Sequence, residues 1–230
     1  MTAPAGPEIA GTLALVGGGE WLPGCEFDAE LLSLSGGREV LVLPTAAAYE
    51  HPARAVATAE KWFAQLGGVV RGLMVLNHAD ACDPANAAAV SQAGFVYLSG
   101  GSPLHLLSAL KGSAVLEAIE AAWHGGAVLA GSSAGAMVLC DPMIDPRGGA
   151  YTVGLGLVEQ LAVVPHYNAD SPSRMWRTFD LAPAGVAVVG IPERTALVRA
   201  PGGQWRELGQ GRVTVHKNGV SGAAADLTAG

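Results

Sequence analysis

Five short runs dominated by aliphatic residues constrain this chain more than any other feature. They are residues 12–16 (TLALV), 39–43 (EVLVL), 69–76, 95–98 and 127–130. The first stops at Gly17-Gly18-Gly19, the second at Pro44-Thr45 and the fourth at Ser99-Gly100-Gly101. Helix-period segments lie between them. Residues 52–66 set Ala55, Ala59, Trp62, Phe63 and Leu66 at helical spacing. A second helix opens at Pro103, whose fixed φ suits a first helical position, and a third covers about 113–123. Apolar runs joined by helices of this length form βαβ units and a mostly parallel sheet. Strands covered on both faces need no apolar–polar alternation, and these runs show little. The expected fold class is therefore α/β, a mostly parallel sheet flanked by helices.

The last third reads differently. Residues 186–190, 196–199, 204–208 and 212–217 are short strand patterns separated by Gly-rich turns such as Pro201-Gly202-Gly203 and Gly209-Gln210-Gly211. They predict a small antiparallel C-terminal extension at one sheet edge. No internal repeat or long linker breaks the chain, so residues 1–230 are expected to form one domain. With half its residues hydrophobic and 14% charged, a chain of this length can bury a full core, and disorder is excluded.

Charge and cysteine content remove several function classes. Twenty acidic residues against 13 basic ones give a net charge of −7 with no basic tract, which argues against nucleic acid as a partner. Cys25, Cys82 and Cys140 form no CxxC pair, so reduced cysteines in a cytoplasmic protein are expected, without a metal or cofactor. The opening MTAPAGPEIA lacks the basic and apolar regions of a secretory signal. No apolar stretch approaches the ~20 residues that span a bilayer, so no membrane association is expected.

The strongest chemical signal is Gly131-Ser132-Ser133-Ala134-Gly135, a GxSxG pattern between an apolar strand and a helix-like run, Ala134 to Leu139. That context is what a nucleophile elbow requires: a sharp strand-to-helix turn holding the middle serine at the C-terminal sheet edge. The Ala134 N–H then faces the same space as the Ser133 hydroxyl, where it can stabilise an oxyanion.

Serine needs a base to remove its proton. Of six histidines, His166 lies in Pro165-His166-Tyr167, just past an apolar strand. In a parallel sheet that is the edge where the elbow serine also lies. His105 and His124 fall inside predicted helices, His51 leads into one, and His216 belongs to the C-terminal strands. The third member must orient the imidazole and stabilise its cation. Glu193, in Ile191-Pro192-Glu193-Arg194, is the first choice; Asp145 is its rival, and Asp141 and Glu159 are weaker. An order Ser, His, Glu differs from that of α/β-hydrolases, where the acid precedes the histidine.

These residues resemble the dipeptidase E and cyanophycinase family of serine peptidases. GSSAGA (131–136) is similar to its elbow, and Leu98-Ser99-Gly100-Gly101-Ser102 to its second glycine signature. Pro165-His166-Tyr167 resembles its histidine segment, and residues 190–198 its Gly-Ile-x-Glu-x-Thr-Ala segment. The opening strand with Gly17-Gly18-Gly19-Glu20 is also family-like. The resemblance implies a class I glutamine amidotransferase-like fold, with Ser133 as nucleophile, His166 as base and Glu193 completing the triad. It implies an oxyanion hole from the N–H groups of Gly101 and Ala134. Cyanophycinases carry a glutamine shortly after the Gly-Gly pair, where this chain has Ser102-Pro103-Leu104. Ser102, Arg174 and Arg177 are the substrate-binding candidates.

Three functional classes compete. The first is a serine exopeptidase, monomer or homodimer, acting on small peptides near a free N-terminus, with an acidic P1 preference or a cyanophycinase-like one for β-linked aspartyl peptides. The second is a catalytically silent amidotransferase-like binding or regulatory domain. The third, a nucleotide binder, finds no GxGxxG or Walker pattern.

Overall fold

The computed structural model describes residues 10–167 and 176–227. The strands are, in chain order, β1 (Leu13–Val16), β2 (Glu39–Leu43), β3 (Val69–Gly72), β4 (Phe95–Leu98) and β5 (Val128–Ser132). Four two-residue strands follow: β6 (Cys140–Asp141), β7 (Met143–Ile144), β8 (Tyr151–Thr152) and β9 (Val158–Glu159). The remainder are β10 (Leu161–Val164), β11 (Ala187–Gly190), β12 (Thr195–Arg199), β13 (Trp205–Gly209), β14 (Thr214–Lys217) and β15 (Val220–Gly222). The α-helices are α1 (Phe27–Leu34), α2 (Pro52–Gln65), α3 (His78–Ala81), α4 (Pro84–Ser91), α5 (Pro103–Leu110), α6 (Ala114–His124), α7 (Ala134–Leu139) and α8 (Trp176–Asp180).

The main sheet has seven strands in the order β13-β12-β1-β5-β4-β2-β3. Its five strands from β1 to β3 in that order are mutually parallel. β12 and β13 add to the β1 side, each antiparallel to its neighbour. Of the four strands expected in the C-terminal extension, these two lie at that edge, whereas the strands within 186–190 and 212–217 belong to a second sheet. Residue parity explains the continuous apolar runs. Ala14, Val16, Val40, Val42, Phe95, Tyr97, Val128 and Ala130 face one buried cluster shared with α1 and α2. Their neighbours Leu13, Leu15, Leu41, Leu43, Val96, Leu98 and Leu129 face the other, shared with α3 to α7. Both faces are therefore interior. Helix starts follow side-chain chemistry: Ser102 and Ser113 accept from the N–H groups of His105 and Leu116, capping α5 and α6.

The run preceding His166, expected at the edge of the parallel sheet, is β10 of a second sheet, ordered β10-β11-β14-β15. β10 and β11 are parallel to each other, and β14 and β15 run antiparallel. Its apolar residues Leu161 to Val164 and Ala187 to Val189 join the cluster that contains α7. The run 69–76 also differs, with regular pairing ending at Gly72. No described helix is long and apolar enough to cross a membrane.

α1 and α2 are tied by a buried polar contact. The Trp62 indole N–H donates to Asp28 Oδ2 at 2.9 Å, and Asp28 is fully buried. Burial pushes the Asp28 carboxyl up to about 8, against the opposing effect of the Trp62 hydrogen bond. The folded state thus holds a proton that the unfolded chain releases near pH 4. Stability from this group is full below that pH and is lost as pH rises toward 8, by about 1.4 kcal/mol per pH unit. Asp28→Asn keeps an acceptor for Trp62 and removes the titration. The variant is expected to lose less Tm than wild type between pH 5 and pH 8, which parallel thermal melts would show.

Candidate active site

β5 ends directly in the elbow. Ser133 sits at φ 49°, ψ −105°, and α7 starts at the next residue. A β-carbon residue in this region carries strain of ~1–3 kcal/mol, sustained by its surroundings. The Ser133 N–H donates to Val16 O at 2.9 Å, fixing the turn against the end of β1. The small flanking residues are a packing requirement. A β-carbon on Gly131 would stand 2.6 Å from the Gly135 carbonyl carbon, and one on Gly135 would stand 2.6 Å from Leu98 O. α7 is buried along its whole length, so the elbow rests on a fixed base.

The other two sequence-predicted triad residues meet Ser133 from the second sheet. Ser133 Oγ lies 2.9 Å from His166 Nε2. On the other side of the ring, His166 Nδ1 lies 2.9 Å from Glu193 Oε1. With the proton on Nδ1 donated to Glu193, Nε2 is left to accept from the serine hydroxyl. The histidine and glutamate side chains are each about half exposed. Local geometry seats the imidazole. His166 adopts φ 51°, and its N–H donates to Gly17 O at 2.7 Å. The Arg194 N–H donates to Gly18 O at 2.8 Å, which holds the Glu193 segment to the same loop. Gly18 has φ +115°, and a β-carbon there would come within 2.2 Å of His166 Cε1. Only glycine permits the ring to lie where it does.

The expected oxyanion donors come from the loops after β4 and β5. Gly100 packs against the elbow: a β-carbon on it would be 3.5 Å from Ser133 Cβ. Gly101 takes φ +137°, and Ala46 O occupies the place a β-carbon would need, at 2.3 Å. The Ser102 hydroxyl is engaged in capping α5, and its N–H donates to Ala46 O at 2.8 Å.

The rival acid is engaged elsewhere. Asp145 lies beyond β7 and receives the backbone N–H and guanidinium of Arg147, the ion pair at 2.6 Å. Those hydrogen bonds hold the Asp145 carboxyl down to about 2. Asp141 accepts from the Gly154 N–H at 2.8 Å, and Glu159 lies exposed on β9. His105 and His124 lie on helices as expected, and His105 Nε2 contacts Leu76 O at 2.8 Å. Arg174 lies outside the described residues. Arg177, on α8, is exposed and lines a cleft of about 640 Å³ with Arg147, Thr178, Met137, Val164 and Pro165. Pro165 places this cleft next to His166 along the chain.

Sequence reasoning missed two contributors. Arg147 carries no motif. Glu20 stands at the end of the glycine run after β1, and its carboxylate accepts from both the Gly100 N–H at 2.9 Å and the Ser132 hydroxyl at 2.8 Å. The run Gly17 to Glu20 was the available signal.

An elbow serine hydrogen-bonded to a histidine at the strand ends of an α/β fold is the arrangement that serine hydrolysis requires. The chain belongs to peptidase family S51, which matches residues 13–205, and it is accordingly a peptidase of the serine class. It is similar to a cyanophycinase from Trichormus variabilis, 28% identical over 224 residues, covering 91% of this chain and 74% of that protein. A cyanophycinase from Synechococcus elongatus is 30% identical over 154 residues, 62% of this chain and 48% of the other. Among solved structures, a peptidase from an acI-B1 Actinobacterium superposes with TM-score 0.82 at 33% identity, covering 96% of this chain and 95% of that one.

Proposed function

We propose that this peptidase cleaves short peptides near a free N-terminus through an acyl-enzyme on Ser133. Ser133 Oγ attacks the carbonyl carbon as its proton passes to His166 Nε2. Glu193 accepts the Nδ1–H throughout and stabilises the imidazolium without itself taking the proton. The N–H groups of Gly101 and Ala134 receive the developing oxyanion. His166 then protonates the leaving amine, and water enters by the reverse sequence to release the acyl group. The observation that carries this reading is the unbroken chain Ser133–His166–Glu193, with 2.9 Å at both contacts. A fluorophosphonate probe tests it: one equivalent should attach to Ser133 in wild type. An unlabelled, folded wild-type protein would favour the silent amidotransferase-like domain.

The loops around Ser133 are short, which suits small peptides more than folded chains. For P1 the reading is an acidic residue, because a carboxylate entering the cleft needs a cation. Asp145 already pairs with Arg147, whereas Arg177 is an exposed residue lining the same cleft. Asp-Xaa dipeptides should show kcat/KM about 10–100-fold above Leu-Xaa, the worth of a charge-assisted hydrogen bond, and Arg177→Ala should erase most of that margin. Equal rates for both peptides would remove the acidic preference. A preference unchanged in the variant would acquit Arg177 and turn attention to Arg174.

A cyanophycinase-like specificity is the second reading, favoured by the relatives that carry that name. A β-linked aspartyl-arginine peptide belongs in the same assay. Cleavage of it in preference to every α-linked dipeptide would select this reading.

A further inference from the structure

The loop after β1 reaches across the end of β5 to the loop after β4, because β5 lies between those two strands in the sheet. Glu20 makes that reach. Its Oε1 accepts from the Gly100 N–H at 2.9 Å and its Oε2 from the Ser132 hydroxyl at 2.8 Å. One carboxylate therefore ties the segment carrying Gly101 to the segment carrying Ser133 and Ala134.

The Gly100–Gly101 pair needs such a tie. Two consecutive glycines have wide conformational freedom, and rotation of the peptide between them would turn the Gly101 N–H away from the serine. Both flanking peptides are pinned. On one side the Gly100 N–H is held by Glu20; on the other the Ser102 N–H is held by Ala46 O at 2.8 Å. Gly100 also lacks the β-carbon that would stand 2.9 Å from Glu20 Oε1. Charge alone argues against this placement, since a carboxylate near a developing oxyanion opposes it. The use of Glu20 must then lie in its two acceptors and its length.

We propose that Glu20 is a positioning residue for peptide-bond hydrolysis, clamping Gly100 to Ser132 so that the Gly101 and Ala134 N–H groups converge on one oxyanion. This rests on the reading of Ser133 as nucleophile.

The test separates reach from charge. Glu20→Gln keeps the length and an acceptor for the Gly100 N–H, and its amide can donate to the Ser132 oxygen. Glu20→Asp keeps the charge and is one methylene too short to bridge both partners. Kinetics on the best-cleaved dipeptide should show kcat within about fivefold of wild type for Glu20→Gln. For Glu20→Asp and Glu20→Ala, kcat should fall by about 10–100-fold with KM changed less than about threefold, below the ~10²–10³ typical of deleting an oxyanion donor outright. Inhibition by a peptide aldehyde, which forms a tetrahedral adduct on serine, should weaken in proportion to kcat/KM. A merely structural role would not produce that proportion. If Glu20→Ala does not fold, the Gln and Asp variants carry the comparison alone. Equal turnover in Glu20→Asp and wild type, or a loss confined to KM, would overturn the clamp. So would a larger loss in Gln than in Asp, which would make charge the useful property. In all of these cases Ser133-dependent labelling would persist and the nucleophile reading would stand. Loss of that labelling from wild type would remove both.

Discussion

Ser133→Ala is expected to abolish peptide hydrolysis while leaving the fold intact. Removing the serine of a comparable triad costs ~10⁶-fold in kcat, and the same scale is expected here. Stability should change little. Among the described residues the lost hydroxyl bonds to a half-exposed histidine, which water can satisfy, so the cost is about 1 kcal/mol or less. Alanine keeps the β-carbon, so the strain of φ 49° is unchanged. Steady-state kinetics on purified protein, paired with a thermal melt, checks both halves. Comparable turnover in folded Ser133→Ala would end the serine-nucleophile reading.

The second large effect is expected at Glu193. A glutamine there can turn its amide NH₂ toward His166 Nδ1, which stabilises the tautomer with the proton on Nε2. That nitrogen then faces Ser133 as a donor and cannot accept the hydroxyl proton. Reversal of this kind in a Ser-His-Asp triad costs ~10⁴ in kcat, and Glu193→Gln is expected to approach it. Asp145→Asn gives the contrast. It weakens an ion pair whose arginine is mostly exposed, so turnover should fall by no more than about fivefold, the rate equivalent of ~1 kcal/mol. Measuring kcat for both variants decides between the two acids, and a greater loss in Asp145→Asn would transfer the role to Asp145.

Which parts of the fold and of the candidate site can be read from the sequence follows from how each is encoded. Ser133 is marked by local sequence, because an elbow needs small residues within two positions on either side. His166 and Glu193 each close an apolar run with a turn, so their place at strand ends could be read. The second sheet could not. β10 and β11 carry the same aliphatic pattern as the main strands, and composition does not say which sheet an apolar strand joins. Arg147 pairs with Asp145 only two residues away, an ordinary loop contact until the fold brings Pro165 and Arg177 to the same cleft. Glu20 closes the Gly17–Glu20 run, which marks the turn after β1, but its partners lie 80 and 112 residues away and the run does not identify them.

The separate origins of serine and histidine have a consequence for how such an enzyme can diversify. In the proposed mechanism, the main sheet supplies what touches the carbonyl: the attacking oxygen after β5 and the oxyanion donors after β4 and β5. The second sheet supplies the imidazole that moves the proton, after β10, and the Glu193 loop runs from it back to β12. Carbon chemistry and proton chemistry are thus assigned to different layers, joined through the buried α7 and the Gly17–Gly18 seat. Changes in one layer can retune basicity without rebuilding the electrophile's cradle, and substitutions in the other can reshape the cradle beneath an unchanged base.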